Sequence, residues 1–272
     1  MVEEITEVSG IKHPSIRGVF EWMGIKDGME IHHDGDLPAR SGIGSSSSFT
    51  VGLLNAMRAL QRLNYTKYQL ASDAIYVERD VIGEIVGLQD QIAASYGGMN
   101  LIKFNDDETF EVKKVSLSNK TRETLNDHMM LFFTRQQRNA FEVEEKKISR
   151  IKENYHRLNG IYELVKEGKS VLDRHRFDPR EFGDLLHQSW LMKRDLAEGV
   201  STDLINEAYE IAMRCGAYGG KVLGAGGGGF VLFFAPTEVQ QKIKDRLHHF
   251  VYVPIHLEDM GSTIALSQPE GL

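Results

Sequence analysis

Pro38-Ala39-Arg40-Ser41-Gly42-Ile43-Gly44-Ser45-Ser46-Ser47-Ser48 runs without a break into the apolar periodic stretch Phe49 to Leu63. Small residues ahead of a helix are one way to hold an anion. Glycines at 42 and 44 let the backbone approach it and take positive φ, while the serines leave N–H groups and hydroxyls at the positive end of a helix dipole. The stretch is therefore expected to bind a nucleotide triphosphate. A plainer reading is a serine cap on a buried helix. Four consecutive serines exceed what one cap needs, and the spacing is neither that of the P-loop nor Gly-x-Gly-x-x-Gly. Alone, the loop points to phosphate and to no particular chemistry.

Ahead of the loop, Pro14 to Met23 reads as a short amphipathic helix and Met29 to His33 as a strand ending in the Asp34-Gly35-Asp36 turn. After the loop come a helix carrying Val51, Leu53, Leu54, Ala56, Met57 and Leu60, and a second from Lys67 to about Asp80, set off by Asn64-Tyr65-Thr66. A shorter helix is expected around Gln89 to Ser95, then strands at Met99 to Phe104 and Glu111 to Val115, a polar connection at Ser116 to Asp127, and a buried strand at Met129 to Thr134. A domain boundary is placed near residue 125, dividing the chain into 1–125 and 126–272. Beyond it, helices are expected at Ala140 to Val165, Pro179 to Ala197, Asp203 to Arg214 and Thr237 to His248, with strands at Phe230 to Phe234 and Val251 to Ile255. Long helices interleaved with short strands indicate an α+β fold.

With 272 residues and 41% hydrophobic side chains, the chain has enough apolar material for the core of an ordinary globular protein. A net charge of −7 argues against a nucleic-acid surface, which needs a concentrated basic face. No segment approaches the ~20 apolar residues of a membrane span, and the acidic start Met1-Val2-Glu3-Glu4-Ile5 lacks a signal peptide's apolar run. The single cysteine, Cys215, forms no internal disulfide and suits a reducing cytoplasm. The ten histidines show no ligand spacing with Cys or Glu and are read as surface or structural.

Three further features bear on chemistry. Gly219-Gly220-Lys221-Val222-Leu223-Gly224-Ala225-Gly226-Gly227-Gly228-Gly229 stands directly before a strand, either as a structural turn or as backbone approaching the first loop or its nucleotide. Asp90, in Gln89-Asp90-Gln91, either caps a helix or accepts the proton of a substrate hydroxyl near a triphosphate. Glu78 is either a solvated helix residue or an oxygen ligand for magnesium.

These motifs resemble the GHMP small-molecule kinases. Pro38 to Ser48 looks like their second motif, Pro-x3-Gly-x-Gly-Ser-Ser, and Lys221 to Phe230 like their third. Gln89-Asp90-Gln91, His187-Gln188-Ser189-Trp190 and the two glycine-rich segments are most similar to the bacterial D-glycero-D-manno-heptose 7-phosphate kinases. The resemblance implies a two-domain fold: an N-terminal domain like domain 2 of ribosomal protein S5, here incomplete, and a ferredoxin-like C-terminal domain. It implies ATP and Mg2+ as cofactors. It assigns Gly42, Gly44, Ser45, Ser46 and Ser47 to the ATP phosphates, Ser46 and Glu78 to magnesium, Asp90 to catalysis, and Gly226, Gly227 and Gly228 to the third motif bordering the site. Between Glu78 and Asp90 the interval is one residue longer than in the mevalonate branch.

The implied reaction transfers the γ-phosphoryl group to the anomeric hydroxyl of a seven-carbon sugar phosphate. Arg138, and Lys193 or Arg194, are candidates for the substrate's phosphate, an exposed helix charge being the plainer role of each. Nothing before Pro38 matches the family's first motif, Pro-x-Arg followed by Gly-Gly-Gly-Thr-Asp. The expectation is an N-terminally incomplete kinase whose sheet edge is uncovered or met by another chain. Its alternative functions are a nucleotide-binding subunit that lacks catalysis until complemented, or a kinase for another sugar such as fucose or galactose.

Overall fold

The computed structural model describes residues 2–26, 28–37, 42–136 and 140–268, the side chains of 140 and 141 excepted. Contacts group the described residues into two units, one within Met1–Ala39, Gly44–Gly98 and Glu258–Leu272, the other within Arg40–Ile43 and Met99–Leu257.

In the first unit, helix α1 (Pro14–Met23) opens with Pro at its first turn, where no N–H is needed, and closes at Gly24 with φ 64°. Helices α2 (Ser45–Leu60) and α3 (Lys67–Tyr76) follow, then a π-turn at Val77–Val81 and helix α4 (Gln89–Tyr96). Val51, Leu54 and Met57 lie on one face of α2 and bury against Val19 and Phe20 of α1 and Leu70 and Ala74 of α3. Thr66 starts α3 with a capping box: its hydroxyl accepts from Gln69 N at 3.2 Å, and the Gln69 side chain accepts from Thr66 N at 2.8 Å. The segment after Glu258 returns to this unit, with Ser262 N donating to Ala94 O at 2.8 Å and Asn55 Nδ2 to Ser262 Oγ at 3.0 Å.

Met29–His33, expected as a strand, has no regular structure. A strand's backbone groups need a ladder partner, and among the described residues of this unit there is no strand to supply one.

The second unit begins with a hairpin of β1 (Asn100–Phe104) and β2 (Phe110–Lys114), paired antiparallel with Ile102 opposite Val112 and Phe104 opposite Phe110. Though on the N-terminal side of the boundary expected near 125, the hairpin groups with the residues C-terminal to it. The connection expected at 116–127 contains a helix, α5 (Asn119–His128), whose N-cap Ser118 accepts from Thr121 N at 3.0 Å. It buries Thr121 and Leu125 only, too narrow an apolar stripe to stand out in the sequence.

Strand β3 (Met129–Phe133) precedes helices α6 (Ala140–Ser149), α7 (Tyr155–Asp173), α8 (Pro179–Arg194) and α9 (Asp203–Cys215). Strands β4 (Gly219–Val222) and β5 (Phe230–Phe234), helix α10 (Thr237–Arg246) and strand β6 (Val251–Val253) complete it. The order β4-β5-β3-β6, antiparallel throughout, is that of a ferredoxin-like sheet. Its two inner strands, Met-Met-Leu-Phe-Phe and Phe-Val-Leu-Phe-Phe, are apolar along their whole length. Phe132 and Phe233 pack in one core with Trp190, Ile205, Tyr209, Ile243 and Leu247.

The single long helix expected at 140–165 is two helices. Between them Asn154 is buried, and its Nδ2 donates to the Leu196 carbonyl, a long-range bond that spacing does not reveal. Beside the hairpin lies a cavity of about 240 Å3 lined by Leu101, Val115, Leu164, Phe182, Leu185 and Lys221 among others. Among the described residues no helix is long and apolar enough to cross a membrane.

Candidate functional site

In the first unit the site is assembled at the start of α2. Gly44 takes φ 72° as the residue before the helix, a conformation easy only for glycine. The helix's own bonding begins with Ser48 N to Gly44 O at 2.9 Å. The N–H groups of Ser45, Ser46 and Ser47 thus precede the first intrahelical bond, at the positive end of a 16-residue dipole.

Asp90 lies in the first turn of α4, and its exposed carboxyl group sits against Gly44: a Cβ at 44 would come within 2.9 Å of its carboxyl carbon. Only glycine leaves room for that carboxylate.

Glu78, in the π-turn, is fully buried, which removes the solvated-helix reading. Its Oε2 accepts from Ser47 Oγ at 2.9 Å and from Gln91 Nε2. Its Oε1 is buried with no hydrogen-bond partner among the described residues. Burial raises the Glu78 pKa, against the pull of the Gln91, Ser47 and Thr50 side chains; Asp90 adds to the rise. The Thr50 hydroxyl itself donates to the Ser46 carbonyl at 3.2 Å.

Of the serines, the structure brings Ser47 to Glu78 and leaves Ser46 exposed. One carboxylate and neighbouring hydroxyls fit magnesium, which takes few protein ligands and keeps several waters, and the orphaned Oε1 is an oxygen with capacity to spare. Among the described residues no cluster of three or more His, Cys, Asp and Glu offers a metal cage.

In the second unit the glycine-rich segment closes onto the loop. A Cβ at Gly224, where φ is 59°, would stand 2.4 Å from the Gly42 carbonyl oxygen. Lys193 Nζ donates to the carbonyls of Val222 at 3.0 Å and Gly224 at 2.6 Å, so this lysine ties down the turn. Gly227 N donates to Val200 O at 2.8 Å and Gly229 N to Gln136 O at 2.9 Å. Cβ atoms at 226 and 228 would collide with those same two carbonyls. The sequence left a structural turn and an approach to the first loop open, and Gly224 makes that approach.

Arg194 forms a 3.6 Å ion pair with Asp195. Arg138 lies outside the described residues. Sequence reasoning missed the bonds that Ser47 and Gln91 make to Glu78, which no spacing announces. It also missed Lys193 as a tether, because the carbonyls it holds lie 29 and 31 residues further along the chain.

Two family models match the chain: GHMP kinases N terminal domain over residues 13–98 and GHMP kinases C terminal over residues 170–253. The chain is 33% identical, over 79% of its length, to the D-glycero-alpha-D-manno-heptose 7-phosphate kinase of Campylobacter jejuni, of which it spans 63%. It is 26% identical over 85% of its length to the galactokinase of Pyrococcus furiosus, covering 72% of that protein. Among solved structures it is similar to a D-glycero-D-manno-heptose 1-phosphate kinase from Bacteriodes thetaiotaomicron, with a TM-score of 0.68, 24% identity and coverage of 94% of this chain and 74% of that one. It is similar also to a mevalonate kinase, with a TM-score of 0.70, 20% identity and coverage of 91% and 75%. The chain belongs to the GHMP kinase family.

Proposed function

We propose that this chain is an ATP-dependent sugar kinase that phosphorylates the anomeric hydroxyl of a sugar phosphate, with D-glycero-D-manno-heptose 7-phosphate as substrate and the 1,7-bisphosphate as product. The observation that carries this reading is the Asp90 carboxyl group against Gly44 at the N-terminus of α2: a proton acceptor beside an anion site. The similarity to the Campylobacter heptose kinase supports the choice of sugar.

In this reading Gly42, Gly44, Ser45, Ser46 and Ser47 hold the ATP phosphates through backbone N–H groups and hydroxyls, with Gly226, Gly227 and Gly228 bordering them. Asp90 accepts the proton of the substrate hydroxyl as its oxygen bonds to the γ-phosphorus. The bond from that phosphorus to the β,γ-bridging oxygen breaks, and ADP leaves. Ser46 and Glu78 would hold Mg2+, which supplies charge stabilisation to the β and γ phosphates. Arg138 belongs to the proposal as a contact of the sugar's own phosphate, and a cytoplasmic location suits the single buried Cys215. The division into an ATP-binding part, 1–125, and a C-terminal part, 126–272, belongs to it too.

A second reading is favoured by the two-stranded β1–β2 sheet and the apolar cavity beside it. In it, the chain binds nucleotide and turns over only when another polypeptide segment covers that sheet. A coupled ADP-release screen of the purified chain across heptose 7-phosphate, fucose, galactose and mevalonate separates the two. Turnover with heptose 7-phosphate supports the first and rejects the second; turnover with another sugar alone overturns the heptose assignment. Nucleotide binding without turnover favours the second.

A further inference from the structure

Gln91 follows Asp90 on α4, but its side chain goes elsewhere. Asp90 is exposed and lies against Gly44, whereas Gln91 is fully buried and its Nε2 donates to Glu78 Oε2. That oxygen also accepts Ser47 Oγ at 2.9 Å. Two donors from two segments, α4 and the first turn of α2, thus converge on one oxygen of one buried carboxylate. The other, Oε1, has no hydrogen-bond partner among the described residues.

This distribution is uneven for a carboxylate withdrawn from water, whose lone pairs are normally satisfied on both oxygens. An amide is suited to produce it. A second carboxylate at 91 would repel Glu78, and an ammonium would neutralise the charge that a cation needs. The Gln91 Oε1 is itself buried without a hydrogen-bond partner among the described residues, and turning the amide over would set oxygen against oxygen. Gln91 therefore serves Glu78 as a donor only.

We propose that Gln91 is a positioning residue: it occupies Glu78 Oε2 together with Ser47 and thereby reserves Oε1 for the divalent cation that accompanies the nucleotide. The inference rests on the phosphoryl-transfer reading and adds to it a residue that touches neither substrate nor cation. Because Asp90 and Gln91 are consecutive, the same turn of α4 sets the proton acceptor against the loop and the carboxylate behind it.

The test is a Mg2+ titration of fluorescent ATP-analogue binding to the unaltered chain, Gln91→Met and Gln91→Leu, with Tm and binding in EDTA measured in parallel. Met keeps the length of the side chain and Leu nearly its volume; neither donates. The expected result is a tenfold or greater rise in the Mg2+ concentration at half-maximal binding, with EDTA affinity unchanged and Tm within a few degrees. An unchanged Mg2+ midpoint in a folded variant overturns the inference. So does a fall of Tm in both variants with Mg2+-dependent and Mg2+-free affinities lost together, which marks a packing role. If the unaltered chain binds no nucleotide at any Mg2+ concentration, the functional reading fails, an outcome distinct from a normal Mg2+ response in Gln91→Met.

Discussion

Glu78 and Lys221 are both partly or wholly withdrawn from water, and they differ in what the surroundings offer. Glu78 has Ser47 and Gln91 on one oxygen. Lys221 lines an apolar cavity, and burial lowers its pKa from the ordinary 10.5 with no compensating charge among the described residues. A lowered pKa in the folded state means that the charged form is penalised there. The stability this residue contributes is present above the unfolded pKa and lost as pH falls through the folded one. Lys221→Met should therefore raise Tm at pH 7, and the advantage should shrink as pH approaches 10.5. Thermal unfolding at the two pH values checks it; an advantage independent of pH would show that packing, not charge, governs the site. The candidate residues Asp90, Glu78 and Ser45–Ser47 were legible because their types and order suffice to suggest phosphate chemistry. Which serine meets Glu78 was not, because Ser46 and Ser47 differ only in the direction each takes from the first turn of α2.

Among the secondary-structure elements and their connections, the glycine-rich segment is a backbone-packing device. Gly224→Ala adds strain at φ 59° and a contact 2.4 Å from the Gly42 carbonyl oxygen, and neither atom lies at the end of a flexible side chain. A left-handed alanine costs about 1–2 kcal/mol before the collision is counted. Chemical denaturation should show at least that loss, and nucleotide affinity should fall with it; a variant as stable and as tight-binding as the parent would separate this turn from the loop. Helices α1, α2 and α9 were readable from their apolar period because each buries a stripe of its own, whereas α5, with Thr121 and Leu125 alone buried, was not. Met29–His33 and the break at Asn154 were not, because one depends on whether a neighbouring strand exists and the other on a bond to Leu196, 42 residues away.

Across the molecule, the two sheets should differ in cooperativity. A two-stranded hairpin is marginal in water, whereas the four-stranded sheet shares its core with Trp190, Tyr209 and Ile243. Hydrogen exchange should release amides of β1 and β2 before those of β3 and β5; equal protection would mean that the hairpin is held as firmly as the core. Phe104, 47% exposed, is a further mark of the hairpin's thin cover. The α+β class was legible from the alternation of patterns, while the grouping of the hairpin with later residues depends on contacts that no local period encodes. The proposed function turns on phosphoryl transfer with Asp90 as the proton acceptor. The decisive measurement is transfer of labelled γ-phosphate to heptose 7-phosphate by the unaltered chain and by Asp90→Asn. The unaltered chain should transfer the label, and Asp90→Asn should lose about 10²–10⁴-fold in rate with ATP still bound; near-normal transfer by Asp90→Asn would refute the assignment.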